Sequence, residues 1–227
     1  MRPLAIGLLA AFVSATSPVA AQVMSLDEGS FTIFRDGERV GREDFSVRRT
    51  PGSGAPDLVA QGRLAIGTRR VSPGLNADTS GYVRRYQSEV RVDGRVVETY
   101  SGVTSRDHYT SRTQREDGES AREFRLPPGC VAVDDEIVHQ LWFVARRGAG
   151  ARVPVLVPRR NAVELVQVEL VGAERLTFDL REFDTTHLRL RTDGTGVLRD
   201  VWIDSDGHML KVAIPAQKVV AVREDVR

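Results

Sequence analysis

Histidine is the side chain whose unperturbed charge changes nearest neutral pH, and it is also a common metal ligand. The chain has four, widely separated in sequence: His108, His139, His187 and His208. No pair has the spacing of a metal-ligand motif, so we predict no metal site from them. His139 is distinctive because it is one helical turn from Asp135 and three residues before Trp142.

Acidic residues offer two further arrangements that chemistry could use. Asp204-Ser205-Asp206-Gly207 is similar to the start of a calcium loop, but no carboxylate follows between His208 and Val212, which favours a tight turn. Glu43 with Asp44, and residues 134–136, have the composition of acid–base pairs, although a sequence does not show what they face. No nucleophile elbow and no phosphate loop opens a helix. We therefore predict no catalytic residue, no metal and no cofactor.

The segment 134–146 is the candidate for a binding role. It departs from the pattern of its surroundings, because apolar residues recur there at helical spacing, and Asp134 is placed to cap the first turn. A helix that is apolar on more than one side is either fully buried or lines a pocket. We predict ligand contacts from the following side chains: His139, Leu141, Trp142 and Phe143. Core packing for the aromatic rings, and a structural hydrogen bond for the histidine, are the alternatives.

Charge and cysteine content limit the partners. Lys and Arg number 32 against 31 Asp and Glu, so the near balance argues against nucleic acid or an anionic membrane as partner. Cys130 is the single cysteine, and the domain therefore has no internal disulfide. We predict a buried, inert thiol, with pairing to another molecule as the alternative.

The N-terminus has the composition of a secretory signal. Met1-Arg2-Pro3 precedes an apolar run from Leu4 to Val13, and small residues end at Ala21. The run is too short to cross a hydrocarbon core of about 30 Å as a helix. We expect cleavage after Ala21, leaving one domain at residues 22–227 that is exported to the periplasm or secreted, without a later membrane span. An uncleaved anchor is the alternative.

Apolar and polar residues alternate through the rest of the chain, for example over residues 82–92, 176–181 and 188–191. Successive strand side chains point to opposite faces, so this period predicts half-buried strands of an antiparallel sheet. Asp-Gly pairs at 36–37 and 93–94, and the turn at 204–207, predict hairpins. Residues 50–56 and 72–80 are loop-like by composition.

Together these patterns predict a mainly β fold. The predicted architecture is a curled antiparallel sheet, a half-barrel or incomplete barrel, that wraps the single helix at 134–146 with Trp142 at its centre. A closed barrel and a sandwich are the other ways for such a sheet to bury one apolar face.

Four segments resemble a family of exported bacterial proteins of unknown function. They are an opening hairpin, an Asp-led segment with a histidine, a Pro-bounded strand and a final hairpin, at residues 31–41, 133–140, 153–158 and 201–215. The resemblance implies a shape similar to the half-barrel of the periplasmic lipoprotein carriers. It implies no catalytic residue, and fold does not determine function.

Three hypotheses about function remain open. The first is a non-enzymatic module that holds an apolar small molecule or lipid between the sheet and the 134–146 helix. A cavity of roughly 300 Å³ or more would be needed for it. The second is an envelope structural or assembly partner that binds another envelope protein. The third is a hydrolase whose site is built from residues distant in sequence.

Overall fold

A computed structural model describes residues 23–51, 57–178 and 180–224, so the predicted signal peptide lies outside the described residues. Within them, fifteen strands form one sheet. The strands are β1 (Met24–Arg35), β2 (Glu38–Thr50), β3 (Asp57–Ile66), β4 (Arg69–Asp78), β5 (Val83–Val92), β6 (Arg95–Ser105), β7 (His108–Arg115), β8 (Gly118–Arg125), β9 (Val131–Ala132), β10 (Arg152–Val157), β11 (Ala162–Phe178), β12 (Arg181–Thr192), β13 (Leu198–Ile203), β14 (Met209–Ile214) and β15 (Val219–Arg223). The predicted mainly β, curled sheet is confirmed.

The order of the strands in the sheet follows the chain closely. It runs from β8 back to β1, then across to β15 and back to β9, so β1 and β15 pair in the middle of the sheet. Neighbouring strands are antiparallel, except that β9 and β10 run parallel. The two ends of the sheet, β8 and β9, are not paired with each other among the described residues. The sheet is therefore rolled but not closed by strand pairing.

Asp-Gly turns connect the strands where the sequence predicts them. Asp36 and Gly37 have φ angles of 52° and 83°, and Asp93 and Gly94 have φ angles of 50° and 79°. Positive φ at both central residues suits the right-handed twist of a two-residue hairpin, and Gly and Asp tolerate it better than most residues. These turns produce the β1–β2 and β5–β6 hairpins.

The inside of the rolled sheet is filled by residues 130–147, which we call the plug. From Cys130 to Ala145, all residues are buried except Asp135 and Glu136. The plug belongs to the same hydrophobic core as inward side chains of the sheet such as Phe31, Leu64 and Val201. The apolar face of the sheet is thus covered by the protein's own chain.

The predicted helix at 134–146 is shorter in the structure. A 3₁₀ turn covers His139–Leu141, and an α-helix, α1, covers Trp142–Ala145. The amides of Val138 and His139 donate to the side chain of Glu43 instead of to a preceding helical carbonyl. Tertiary contacts therefore replace the first turn of the predicted helix. None of the helices among the described residues is long and apolar enough to cross a bilayer.

Residues 72–78, predicted as part of a loop, lie in β4. Pro73 faces the inside of the sheet and pairs with Ser88 of β5. The register between β3 and β4 is interrupted between Gln61–Gly74 and Leu64–Val71, at the level of this proline. Proline has no amide hydrogen, and the gap in the ladder accommodates that lack.

A side-chain seam holds the β10–β11 end of the sheet against β6 and β7. The side-chain oxygen of Asn161 accepts hydrogen bonds from the hydroxyl of Ser111, at 2.6 Å, and from that of Tyr100, at 3.2 Å. Asn161 has a φ of 50°, a conformation that asparagine adopts more readily than most residues. These side-chain hydrogen bonds therefore connect the β10–β11 turn to β6 and β7, although the described strands on the two sides are not paired with each other through their backbones.

The β11–β12 hairpin extends past the body of the sheet and forms a second small core. After a register shift between Leu170 and Gly172, the inner and outer faces of β11 are exchanged relative to β12. Leu176 then packs with Trp202 and Leu210, away from the main core. Leu170 is 61 % exposed, so the apolar character of this hairpin is only partly covered.

Candidate functional site

A carboxylate and an imidazole meet at full burial where the plug crosses β2. Glu43 and His139 have fully buried side chains, and Nδ1 of His139 lies 2.7 Å from Oε1 of Glu43. The same carboxylate accepts the backbone N–H of His139 and of Val138, each at 2.8 Å. Three donors on one buried carboxylate compensate for its removal from water. Because two of them are backbone amides of the plug, Glu43 fixes the plug to β2, and we call this contact the latch.

The His139 ring is enclosed on its remaining sides. It stacks on Phe45, with ring centroids 5.5 Å apart and an interplanar angle of 9°. A Cβ atom at Gly62 would lie 2.7 Å from Cε1 of His139, so only glycine leaves room for the ring. Nε2 of His139 is buried and has no hydrogen-bond partner among the described residues. The ring is therefore inaccessible to a substrate.

Asp134 forms a second buried polar contact at the start of the plug. Its Oδ2 accepts the Tyr86 hydroxyl at 2.9 Å and Nε of Arg159 at 2.6 Å. Burial, and then the charge of Asp134, raise the pKa of Tyr86 well above its usual value. Burial opposes the charge of Arg159, but Asp134 and Glu136 raise its pKa. Asp134 therefore caps none of the described helices, contrary to the sequence prediction, and instead anchors the plug to β5 and to the turn after β10.

The two plug aromatic residues predicted to contact a ligand are packed within the protein. Phe143 is fully buried and meets Trp142 edge-on, with centroids 5.1 Å apart. Nε1 of Trp142 donates to the carbonyl oxygen of Gly207 at 3.2 Å, and the Arg146 guanidinium lies 4.4 Å from the Trp142 ring centroid. Trp142 lines neither of the two small cavities beside the plug, whose volumes are about 50 Å³ and about 10 Å³. Neither approaches the size expected for a lipid.

The larger of the two cavities opens at one end of the roll, and we call it the mouth. Its floor is aliphatic and comprises Ile33, Ile66, Val133, Ile137, Val138, Leu141, Ile214 and Val219. Its rim is polar and comprises Arg35, Asp135, Glu136, Arg199 and Gln217, and the enclosed Asp134 also lines it. Of the predicted contact residues, only Leu141 lies in the mouth. An aliphatic floor with a charged rim can bind an apolar group that carries a charge beside it.

Within the described residues, the acidic residues on the mouth rim form ion pairs, whereas its arginines do not. Asp135 pairs with Arg160 at 2.8 Å, and Glu136 pairs with Arg69 at 2.9 Å. Arg199 donates to the Thr192 hydroxyl at 3.1 Å, and burial lowers its pKa. In the part of the chain that the structure describes, neither Arg199 nor Arg35 forms an ion pair with a carboxylate. The charges of Glu164 and Asp135 partly compensate Arg199, so the exposed Arg35 is the less compensated of the two guanidinium groups at the mouth.

The acid–base pairs considered from sequence do not form. Glu43 is buried, whereas Asp44 lies on the opposite face of β2, because adjacent strand residues alternate. A hydrogen bond from Ser30 lowers the pKa of Asp44. Of residues 134–136, Asp134 is enclosed and its two neighbours are paired with arginines.

Each histidine contacts its own carboxylate. The closest partners of the other three histidines are Asp107 for His108, Asp200 for His187 and Asp204 for His208, at 2.9, 3.0 and 3.2 Å. His187 also stacks on Trp202, with centroids 4.2 Å apart. The sequence does not reveal this group of His187, Asp200 and Trp202, because its members lie on two different strands, β12 and β13, and no motif spacing connects them.

Residues 204–208, the acidic segment after β13, form a hydrogen-bonded turn. Oδ1 of Asp204 accepts the backbone N–H of Asp206 and of His208, both at 2.9 Å. The side chains of these three residues could each offer one atom to a metal ion, with all three atoms within 4.8 Å of one another. The hydrogen bonds account for the acidic residue at position 204 without a metal.

Cys130 is buried at the start of the plug. Burial raises the pKa of its thiol to about 12, from the ordinary 9.0. A thiol is a poor nucleophile while it stays protonated, so the predicted inert character agrees with this environment.

Comparisons with known proteins bear on the fold alone. No family model matches the sequence, and no match was found among curated proteins. Among solved structures, the chain is similar to a beta-barrel-like protein of domain of unknown function DUF1849 from Brucella abortus, with a TM-score of 0.50 and 9 % identity. The match covers 90 % of this chain and 97 % of that one. It supports a β-barrel-like fold known in bacteria, and it does not extend to the lipoprotein carriers in particular.

Proposed function

We propose that the chain is an exported, non-enzymatic binding module that holds an aliphatic side chain of a partner protein in the mouth. The observation that carries this proposal is an aliphatic cavity of about 50 Å³ beside two arginines that form no ion pair with a carboxylate among the described residues. The plug supplies part of the floor through Ile137, Val138 and Leu141. Holding the plug in place therefore also shapes the binding site.

The volume of the mouth determines whether a side chain or a larger molecule can fit in it. A cavity needs roughly 10–15 Å³ to hold one water molecule by this measure, so the mouth accommodates about three to five groups of that size. That is the side chain of a valine, leucine or isoleucine. A lipid or drug-sized molecule needs roughly 300–1,000 Å³. A single apolar anchor in a pocket is typical of protein–protein recognition.

The charged rim determines which charge the partner should carry next to its aliphatic side chain. Arg35 and Arg199 each present a guanidinium group, which binds carboxylates through paired N–H donors. Asp135 and Glu136 are already paired with arginines of the protein and therefore repel a second acid only weakly. The preferred partner segment has an aliphatic residue next to a carboxylate, either an acidic side chain or a chain terminus.

N-acetyl-leucine is the smallest probe with both features, and methyl NMR titration is the assay. Addition of the probe should shift the methyl signals of Ile33, Ile137 and Leu141, which lie in the mouth. N-acetylglycine lacks the aliphatic group and N-acetyl-leucinamide lacks the carboxylate, so both should bind several-fold more weakly. Equal shifts from all three compounds, or no shift in any mouth methyl group, would refute the proposal.

Two variants separate the rim from general charge effects. Arg35→Gln removes one rim cation at an exposed position and should weaken binding of N-acetyl-leucine about three- to tenfold. Arg95→Gln removes an exposed cation at the start of β6, outside the mouth, and should leave binding unchanged. If both variants weaken binding alike, the effect is one of net charge and the rim has no specific role.

Export is a separate part of the proposal and has its own measurement. The N-terminal sequence supports cleavage after Ala21. The intact mass of the protein recovered from its host should correspond to a chain that begins at Gln22, in the envelope or extracellular fraction. Recovery of a chain that begins at Met1 in the cytoplasm would contradict this part of the proposal.

A further inference from the structure

Three arginines lie at the end of the roll opposite the mouth. The mouth is at the start of β2, where Gly41 pairs with Ile66, and Arg49 is eight residues further along the same strand. At about 3.3 Å per residue, this separates the two ends by roughly 26 Å. Arg146 and Arg147 follow α1, whose N-terminal side leads back to the mouth through Leu141. The plug therefore runs from the mouth to this second, cationic end.

These arginines contrast with those at the other end of the plug. Arg69, Arg159 and Arg160 each pair with a carboxylate, at distances from 2.6 to 2.9 Å. Among the described residues, no carboxylate forms an ion pair with Arg49, Arg146 or Arg147, although the neighbouring Arg48 pairs with Glu28 at 3.3 Å. Arg147 donates to the carbonyl oxygen of Gly129 at 3.2 Å, and Arg146 lies over the ring of Trp142.

The charges of the three arginines lie near enough to repel one another, and Arg49 and Arg147 are only partly solvated. The Nε atoms of Arg49 and Arg147 are buried and have no hydrogen-bond partner among the described residues. Burial, and then the positive charges of Arg147 and Arg49, lower the pKa of Arg146. Buried donors without an acceptor and cations without an anion both cost free energy. A bound anion would remove the cost of the unneutralised charges.

We propose that Arg49, Arg146 and Arg147 form a binding site for a phosphate group at the end of the roll opposite the mouth. A phosphate carries close to two negative charges near neutral pH and offers several acceptor oxygens, whereas one carboxylate neutralises a single guanidinium. The group is either free orthophosphate or the phosphomonoester of a lipid headgroup. This site goes beyond the proposed function, shares no residue with the mouth, and is tested independently.

Calorimetric titration with sodium phosphate at constant ionic strength tests the site. We expect saturable binding with a Kd at or below about 1 mM, a range that calorimetry resolves. Sodium chloride at the same ionic strength should give no saturable heat. Absence of saturable binding up to about 10 mM phosphate overturns the proposal for free phosphate. Vesicles of phosphatidylcholine with phosphatidic acid, compared with phosphatidylcholine alone, then test the lipid source. No preference for phosphatidic acid as well would overturn the proposal altogether.

Variants assign the effect to these arginines. Arg146→Gln is the primary variant because Arg146 is exposed, so folding should persist, and it should weaken phosphate binding at least about tenfold. Arg146→Lys keeps the charge and should weaken binding less. Arg95→Gln is the matched control and should bind like the unsubstituted protein. Retention of full affinity in both Arg146→Gln and Arg49→Gln would overturn the assignment, whichever result the mouth experiments give.

Discussion

Replacing Glu43 with glutamine tests whether this residue holds the plug inside the roll. Glutamine has nearly the same shape but only one oxygen acceptor. If that oxygen takes the position of Oε1, it still accepts the N–H of His139, but the amide group then faces the N–H of Val138, 2.8 Å from the former Oε2. Two donors then face each other in a fully buried site.

The expected loss follows from these contacts. One charge-assisted hydrogen bond contributes roughly 1.5–3 kcal/mol, and leaving its donor unsatisfied costs roughly 1–3 kcal/mol more. Burying a neutral group instead of a carboxylate offsets part of this loss. We expect Glu43→Gln to lower the free energy of unfolding by about 2–4 kcal/mol, a large part of the 5–15 kcal/mol typical of a domain.

Urea unfolding followed by tryptophan fluorescence measures this change, because Trp142 lies in the plug and Trp202 on the outer face of the sheet. Glu38→Gln, an exposed position on the same strand, is the control and should change stability by less than about 0.5 kcal/mol. Amide hydrogen exchange at Val138 and His139 should accelerate in Glu43→Gln alone. A Glu43→Gln protein as stable as the control would show that the latch does not hold the plug.

Three further predictions concern packing and the buried thiol. Gly62→Ala places a methyl group 2.7 Å from Cε1 of His139 and should destabilise the fold by about 1–3 kcal/mol. The control, Gly74→Ala on the neighbouring strand, meets only the movable side chain of Gln87, at 3.3 Å, and should lower stability less. Urea unfolding compares the two variants, and equal losses of stability would contradict the steric argument. The Cys130 thiol, with its pKa raised by burial to about 12, should react with an aromatic disulfide at pH 8 at least about 100-fold faster in urea than in buffer. The pKa of Cys130 in the folded protein lies above the ordinary value of 9.0, so the protonated thiol stabilises the fold below pH 9 and this contribution is lost as the pH rises towards 12. The free energy of unfolding of Cys130→Ala should therefore fall less between about pH 9 and pH 12 than that of the unsubstituted protein.

The fold class could be predicted from sequence because its signals are local. The alternation over residues 82–92 became β5, and the Asp-Gly turns at 36–37 and 93–94 became hairpins, since both depend only on neighbouring residues. The plug was placed correctly inside the sheet because its apolar residues exceed one helical stripe. Its helical length was overestimated, since helical spacing does not reveal that the amides of residues 138 and 139 bond to β2.

The residues that shape the site could not be predicted in the same way. Glu43 and His139 are 96 positions apart, and nothing near Glu43 marks it as buried, because Arg42 and Asp44 are exposed charges. The composition around Pro73 predicts a loop, because proline is rare inside sheets and the interrupted ladder that accommodates it is a tertiary feature. The aliphatic mouth is likewise assembled from β1, β3, β14, β15 and the plug.

The pairing of β1 with β15 constrains the order in which the protein can fold. Phe31 pairs with Arg223, so the first and last of the described strands are joined in the middle of the sheet. A polypeptide delivered from its N-terminus, by a ribosome or a translocation pore, cannot form this contact until β15 has emerged. Contacts of such long range make folding slow. The early half therefore exposes one edge of β1 while it waits, and a chaperone that shields this edge would raise the yield of folded protein.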